Sequence, residues 1–356
     1  MDKKQLRAGV IGCGAISDIY LKNMKNKFDN LEVVSCAARH LESAQKKAQQ
    51  YGIKGCTVDE LLADESIDMA VILTPAPTHY ELIKKALEAG KHVYTEKTIT
   101  ITPETAKELL ELADAKGLYL GSSPDTFLLA YWQTARKLID EGILGEVTSF
   151  QISANRDLDL LTSMFGFLRM PGGGICYDYG VYYLTALVSL LGPAARVSAI
   201  VKNPKPVRVN IMPQSPEYGK EFSYPNESQV AAVLELESGV TGNFALNGDS
   251  VIADQAQFLI YGTKGILKLT DPNQFGGKNM LLANSYDFAN PPVWTEVENV
   301  FAHAENSRGI GPSEMAAAIL SGDKNRASKE MAYHVLDIID KMMVSSDSGR
   351  FEAVDS

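Results

Sequence analysis

With 356 residues, 45% of them hydrophobic and 22% charged, the chain is too long for one ordinary core and has the composition of a globular protein of two domains. A formal net charge of −10 excludes nucleic acid and anionic membrane as main partners, because both would repel it. There is no apolar run of about 18 residues, Met1-Asp2-Lys3-Lys4-Gln5 leads straight into a strand pattern, and Cys13, Cys36, Cys56 and Cys176 lack CxxC spacing; these features predict a cytoplasmic protein without signal peptide, membrane span, disulfide frame or metal site.

The first predicted element is a short apolar strand, Arg7-Ala8-Gly9-Val10-Ile11, which runs into Gly12-Cys13-Gly14-Ala15-Ile16-Ser17. So tight a turn needs a residue without Cβ at Gly12, and a pyrophosphate reaches the backbone only if Gly14 also lacks a side chain. The helix starting at Ala15 and Ile16 would aim unpaired N–H groups and its positive dipole end at the phosphates. The third position of the glycine pattern is Ser17, so the motif takes its meaning from the elements after it in the chain.

Those elements alternate regularly with short links: helix Ala15 to Lys25, strand Leu31 to Ala37, helix Leu41 to Tyr51 stopped by Gly52, and strand Asp68 to Thr74 ended by Pro75. Helix His79 to Ala89, strand His92 to Lys97, helix Thr105 to Ala115 and strand Leu118 to Leu120 continue the series. This predicts an α/β Rossmann domain, a doubly wound parallel sheet over residues 1–123, with the glycine turn at the edge where such sheets bind dinucleotides. The expected cofactor is NAD(P)(H).

After Pro124 the pattern changes. Helix Thr126 to Glu141 and strand Glu146 to Ala154 precede Gly172-Gly173-Gly174 and an apolar helix from Tyr177 to Leu191. Strands Ala195 to Val201, Gln229 to Glu237, Val240 to Leu246, Ala256 to Tyr261 and Ile266 to Leu269 come next, several joined by glycine turns. Residues 124–356 therefore read as an α+β domain with a large, mostly antiparallel sheet. Helices cover one of its faces and the other is open to subunit pairing, so a homo-oligomer is expected. Helices Pro312 to Leu320 and Lys329 to Val344 close the chain, placed to pack back on the first domain.

Thr74-Pro75 with His79, Glu96-Lys97, and Gly172-Gly173-Gly174 with Asp178-x-Gly180 occur in an order that resembles the Gfo/Idh/MocA oxidoreductases. That family includes glucose-fructose oxidoreductase and inositol dehydrogenase, and the resemblance covers nearly the whole chain. It implies that Thr74, Pro75, His79, Glu96 and Lys97 join the glycine turn at the cofactor, and that Lys97, Asp178 and the residue at Tyr182 carry the chemistry. Three positions depart from the family pattern. Thr98 replaces a proline after Lys97, Tyr182 stands where histidine is usual, and Ala38 and Arg39 occupy the place of the acid that holds a ribose. Arg39 either stacks on adenine and meets a 2′-phosphate or is an exposed loop residue, which leaves NAD and NADP both open.

Beside an alcohol and a positive nicotinamide ring, like charge and desolvation would weaken the hold of Lys97 on its proton. It could then accept the hydroxyl proton or steady the developing alkoxide. Asp178 and Tyr182, four residues apart, share a helix face. Asp178 would orient the reacting hydroxyl, and Tyr182 would either relay the proton as a phenolate stabilised by Lys97 or only orient the sugar. The plainer alternatives are a helix cap and a core ring. Asn155, Arg156, Arg169 and Tyr183 are candidates for the substrate side, though each such residue is more often surface or core, and Trp132 and Trp294 read as packing residues.

The expected activity is hydride transfer between nicotinamide and a secondary ring hydroxyl of a sugar or glycoside. Gly172 to Pro193 resembles the branch of the family that acts on glycosides, which favours C3 of a glucoside, and the apolar stretch Leu160 to Leu168 either borders an aglycone or is core. The alternatives are an inositol or simple aldose dehydrogenase, a redox-assisted glycosidase that recycles its cofactor, and a dinucleotide-binding redox sensor without turnover. The last would have no use for an acid/base group beside the nicotinamide.

Overall fold

The computed structural model describes residues 5–251, 256–285, 287 and 289–356. Met1–Lys4, and with them the expectation for the amino terminus, lie outside the described residues. The chain forms two units, one of Met1–Asp125 with Ser307–Leu336 and one of Thr126–Asn306 with Asp337–Ser356.

In the first unit the elements are β1 (Leu6–Ile11), α1 (Ala15–Asn26), β2 (Leu31–Ala37), α2 (Leu41–Tyr51), β3 (Lys54–Cys56), α3 (Val58–Ala63), β4 (Met69–Ile72), α4 (His79–Glu88), β5 (His92–Thr95), α5 (Pro103–Lys116) and β6 (Leu120–Ser122). The strands pair in parallel in the order β3-β2-β1-β4-β5-β6. Val10, Ile11, Met69 to Ile72, Val93 and Tyr94 are all buried, because helices cover both sheet faces and leave no side for polar residues. Strand order reverses between β1 and β4, so the loops after these two strands part at one edge and open a crevice there. The sequence had shown neither β3 nor α3, and β6 begins at Leu120 rather than Leu118. Thr57 and Glu60 start α3 with a reciprocal capping box.

The second unit contains α6 (Ala130–Asp140), β7 (Val147–Asn155), α7 (Leu158–Met164), α8 (Val181–Leu191), β8 (Ala194–Lys202), β9 (Val207–Val209), β10 (Glu221–Ser223), β11 (Gln229–Leu236), β12 (Thr241–Asn247), β13 (Gln257–Gly262), β14 (Gly265–Leu269), β15 (Asn279–Ala283) and β16 (Thr295–Val297). Near the end of the chain come α9 (Ile310–Ser321), which belongs to the first unit, then α10 (Lys329–Ser348) and β17 (Glu352–Ala353). Among the described residues the large sheet has nine strands, in the order β16-β15-β14-β13-β7-β12-β11-β8-β17. Its pairs are antiparallel except β7 with β12, which makes it a mixed, mostly antiparallel sheet. Phe150, Ile152, Val230, Leu234, Phe244 and Leu246 alternate inward. Trp132 of α6 and Tyr183 of α8 pack on Phe258 of β13 from that same side. On the opposite face Ile200 and Val233 are 61% and 49% exposed. The short β9–β10 hairpin forms a separate two-stranded sheet that the sequence had not shown.

The helix expected over Tyr177 to Leu191 is two elements. Cys176–Gly180 form a π turn, in which the Val181 N–H reaches back to the Cys176 carbonyl, and α8 continues from Val181. A π turn inside an α-helix is often a feature of a functional site.

Candidate active site

At the carboxyl edge of the parallel sheet, Gly12 has φ +113°, and a Cβ there would lie 2.8 Å from the Leu73 carbonyl carbon. The turn is therefore glycine for the sake of the fold. Gly14 differs: a Cβ added there would meet nothing within 4 Å. It is the N-cap of α1 with no side-chain cap, so the first-turn amides at Ala15 and Ile16 have no side-chain acceptor from the cap residue. The Ser17 hydroxyl turns back to the Gly14 carbonyl at 2.6 Å. Open room beside an uncapped helix start fits a dinucleotide pyrophosphate. Arg39 is exposed two residues beyond β2, at the same edge.

Thr74-Pro75 leads from β4 into a short 3-10 turn, Ala76–Thr78, and the Thr78 hydroxyl donates to Thr74 Oγ1 at 2.7 Å. His79 is fully buried, with Nδ1 2.6 Å from the Thr98 carbonyl and Nε2 2.7 Å from the Thr74 carbonyl. Its ring ties the loop after β4 to the loop after β5. Burial holds its pKa below the ordinary histidine value, and a neutral ring can donate to only one of the two carbonyls at a time.

Glu96 and the half-buried Lys97 leave the end of β5. The Glu96 carboxylate accepts the Lys97 backbone N–H at 3.1 Å and the Tyr20 hydroxyl at 2.6 Å. Tyr20 and Tyr94, both fully buried, meet at Ser123 Oγ at 3.0 and 3.3 Å. Asp125 follows, 3% exposed, and its carboxylate accepts the N–H groups of Gly309 (3.3 Å) and Gly311 (3.0 Å) at the start of α9. Burial, with Glu96 adding like charge, pushes its pKa up to about 6.

Raised above its unfolded value, this pKa makes folding strongest below the ordinary carboxyl range. Stability is then lost as pH rises through about 6, by about 3 kcal/mol for a shift of about two units. Asp125→Asn, which can still accept both N–H groups, should flatten this dependence. Urea midpoints of wild type and variant at pH 4.5 and 8 are expected to diverge at the higher pH in the variant's favour. Equal differences at both pH values would refute the assignment.

In the second unit Asp178 sits in the π turn, its N–H bonded to the Gly174 carbonyl at 2.8 Å, and Tyr182, 7% exposed, lies in the first turn of α8. The glycines before them are closely approached by protein. A Cβ at Gly173 would lie 2.3 Å from the Leu168 carbonyl oxygen, and one at Gly174 would lie 1.9 Å from Glu227 Oε2. Glu227, which the sequence reading missed, accepts the Cys176 N–H at 2.9 Å at the start of the π turn. Burial of its carboxyl group pushes its pKa up to about 7. Its position, 51 residues from the turn it caps, left no local signal.

The four residues expected on the substrate side part company. Tyr183 is core, its hydroxyl on Tyr179 at 2.8 Å and its ring stacked on Phe258. Arg169 donates from Nε and Nη2 to the Thr162 carbonyl and lies over the Phe222 ring. Asn155 lines a shallow hollow on the open face of the large sheet, with Ser153, Lys202, Gln229 and Asn247. Arg156 is half-buried with its guanidinium 3.9 Å over the ring of Tyr179, the residue after Asp178. Among the described residues no cluster of His, Cys, Asp and Glu suits a metal ion, and no helix is long and apolar enough to cross a membrane.

Residues 6–122 match the family model described as "Oxidoreductase family, NAD-binding Rossmann fold", and residues 132–268 match the "GFO/IDH/MocA C-terminal domain". An uncharacterized oxidoreductase of Schizosaccharomyces pombe is 34% identical over 202 residues, 54% of each chain. The chain thus spans about half the length of the first curated relatives that it matches. The dTDP-3,4-didehydro-2,6-dideoxy-alpha-D-glucose 3-reductase of Streptomyces violaceoruber is 28% identical over 92% of this chain and 91% of its own. Scyllo-inositol 2-dehydrogenase (NADP(+)) IolW of Bacillus subtilis is 25% identical over 72% of this chain and 66% of its own. Levoglucosan dehydrogenase in complex with NADH and L-sorbose superposes with a TM-score of 0.86 at 19% identity, covering 98% of this chain and 99% of that one, a likeness of fold.

Proposed function

Because the chain belongs to the GFO/IDH/MocA oxidoreductase family, we propose that it is an NAD(P)-dependent enzyme acting on a secondary ring hydroxyl of a sugar or glycoside, with C3 of a glucoside as the favoured position. When bound, the nicotinamide takes up or supplies the hydride. Lys97 accepts the hydroxyl proton or holds the alkoxide, Asp178 accepts a hydrogen bond from the hydroxyl and orients it, and Tyr182 relays the proton or positions the sugar. The observation that carries this reading is a half-buried lysine, held through its own backbone by Glu96, at the sheet edge that also presents the open space at Gly14.

The choice of C3 draws support from the relative named as a 3-reductase of a dTDP-hexose, which aligns over nearly the whole chain. With Ala38 in place of an acid and Arg39 exposed beyond β2, both NAD and NADP are admitted. Exposed Met164, Phe165 and Phe167 support a binding region for an apolar aglycone. We further propose a homo-oligomer paired through the open sheet face, supported by exposed Ile200 and Val233, in the cytoplasm, supported by four free cysteines.

A glucoside carrying deuterium at C3 should deliver the label to the nicotinamide ring, read by mass spectrometry of the reduced cofactor. Label arriving from C1 or C2, or activity confined to free inositols or simple aldoses, would refute the C3 assignment.

A further inference from the structure

We propose that Arg156 binds an oxyanion, a carboxylate or a phosphate carried by the sugar, and so sets the substrate class of the site proposed above. An arginine is charged at every working pH and presents five N–H donors in a planar fork. Arg156 is half-buried, its Nε is shielded from solvent without a hydrogen-bond partner, and its guanidinium makes no hydrogen bond or ion pair among the described residues. Two other arginines of the same unit are provided for. Arg208 is bonded to Asp159 at 2.8 Å and Asp249 at 2.6 Å, and Arg169 is bonded to the Thr162 carbonyl.

Stacking accounts for one face of the Arg156 guanidinium and leaves its edge. The platform beneath it is fixed, since the Tyr179 hydroxyl is bonded to Asp271 Oδ2 and to the Tyr183 hydroxyl, each at 2.8 Å. A cation withdrawn in part from water with unmatched donors is costly unless an acceptor arrives. A planar carboxylate or a phosphate is the acceptor that takes a guanidinium edge through two parallel bonds. Tyr179 directly follows Asp178, so one small molecule could reach both the proposed hydroxyl-binding carboxylate and this edge.

This inference rests on the sugar-oxidoreductase reading for its catalytic arm, and a binding arm stands apart from it. In the first arm, kcat/KM is measured for methyl β-D-glucoside, methyl β-D-glucuronide and methyl β-D-glucoside 6-phosphate. Wild type should prefer one of the two charged glycosides, and which one distinguishes carboxylate from phosphate. Arg156→Gln should lower the charged-to-neutral ratio by at least about tenfold, with Arg156→Lys, which keeps the charge without the fork, in between. In the second arm, calorimetry follows glucuronate and glucose 6-phosphate binding to the dinucleotide-loaded protein, with circular dichroism confirming that each variant is folded. Binding to wild type that Arg156→Gln loses upholds the anion site even if no glycoside is oxidised, an outcome that overturns only the catalytic reading. A charged-to-neutral ratio that both variants leave unchanged, or equal anion binding by wild type and Arg156→Gln, overturns the proposal.

Discussion

Lys97→Met is expected to lower turnover of a ring-hydroxyl substrate by at least about 10²-fold while leaving dinucleotide binding within a few-fold, the usual scale for removal of a positioned acid/base group. Methionine keeps the length and apolar body of the lysine stem. The backbone at position 97 is anchored through its own N–H to Glu96, so the strand end should keep its course. What the substitution removes is the ammonium group and its proton. Single-turnover rates separate the chemical step from release, and calorimetry follows the cofactor. Near-normal turnover would reduce Lys97 to a solvated cation at the end of a strand.

The second large effect is expected at Gly14. Gly14→Val should weaken dinucleotide binding by at least about 10²-fold, nearly 3 kcal/mol, because its side chain would fill the space beside the start of α1. The fold should hardly notice. Gly14 has φ −74° and ψ −173°, which valine adopts readily, and nothing lies within 4 Å of the added Cβ. Loss of a tolerated N-cap glycine costs about 1 kcal/mol. Gly12 is the contrasting control, where an added Cβ would press on the Leu73 backbone in a left-handed conformation. Thermal midpoints and titrations with NAD(H) and NADP(H) would show whether Gly14→Val separates binding from stability. Undiminished affinity in that variant would remove the pyrophosphate from this turn.

These two glycines also show what could be read from the sequence. The motif was legible because its causes are local: an apolar strand, a turn and a helix start within eleven residues, repeated as an alternation through Leu120. Six strands of the large sheet were legible, helped by period-two alternation as at Phe150, Ile152 and Ala154, whereas the short β15, β16 and β17 were not. Elements that owe their existence to distant partners were not. Val207-Arg208-Val209 follows Pro204 and Pro206 and looks like loop. Arg208 nonetheless lies 1% exposed there because Asp159 and Asp249 meet it from segments about 40 to 50 residues away. Glu227 and Asp125 look like ordinary surface acids, and the amides of Cys176, Gly309 and Gly311 that they accept come from far along the chain. The close approach of protein to Gly173 and Gly174 likewise depends on Leu168 and Glu227.

The division of the first unit into two stretches of chain bears on how it is made. Its amino-terminal stretch leaves the ribosome complete to Asp125, but its remaining part, Ser307–Leu336, emerges only after about 180 further residues. At 5–20 residues per second that is a wait of roughly 10–35 s. During that time the carboxylate of Asp125 has neither amide from the start of α9, and Ser122 has no Ala327 carbonyl for its N–H. The parallel sheet must therefore pass its first moments with the end of β6 unfinished, its acid hydrated, and a strand edge bare to chaperones or to another nascent chain.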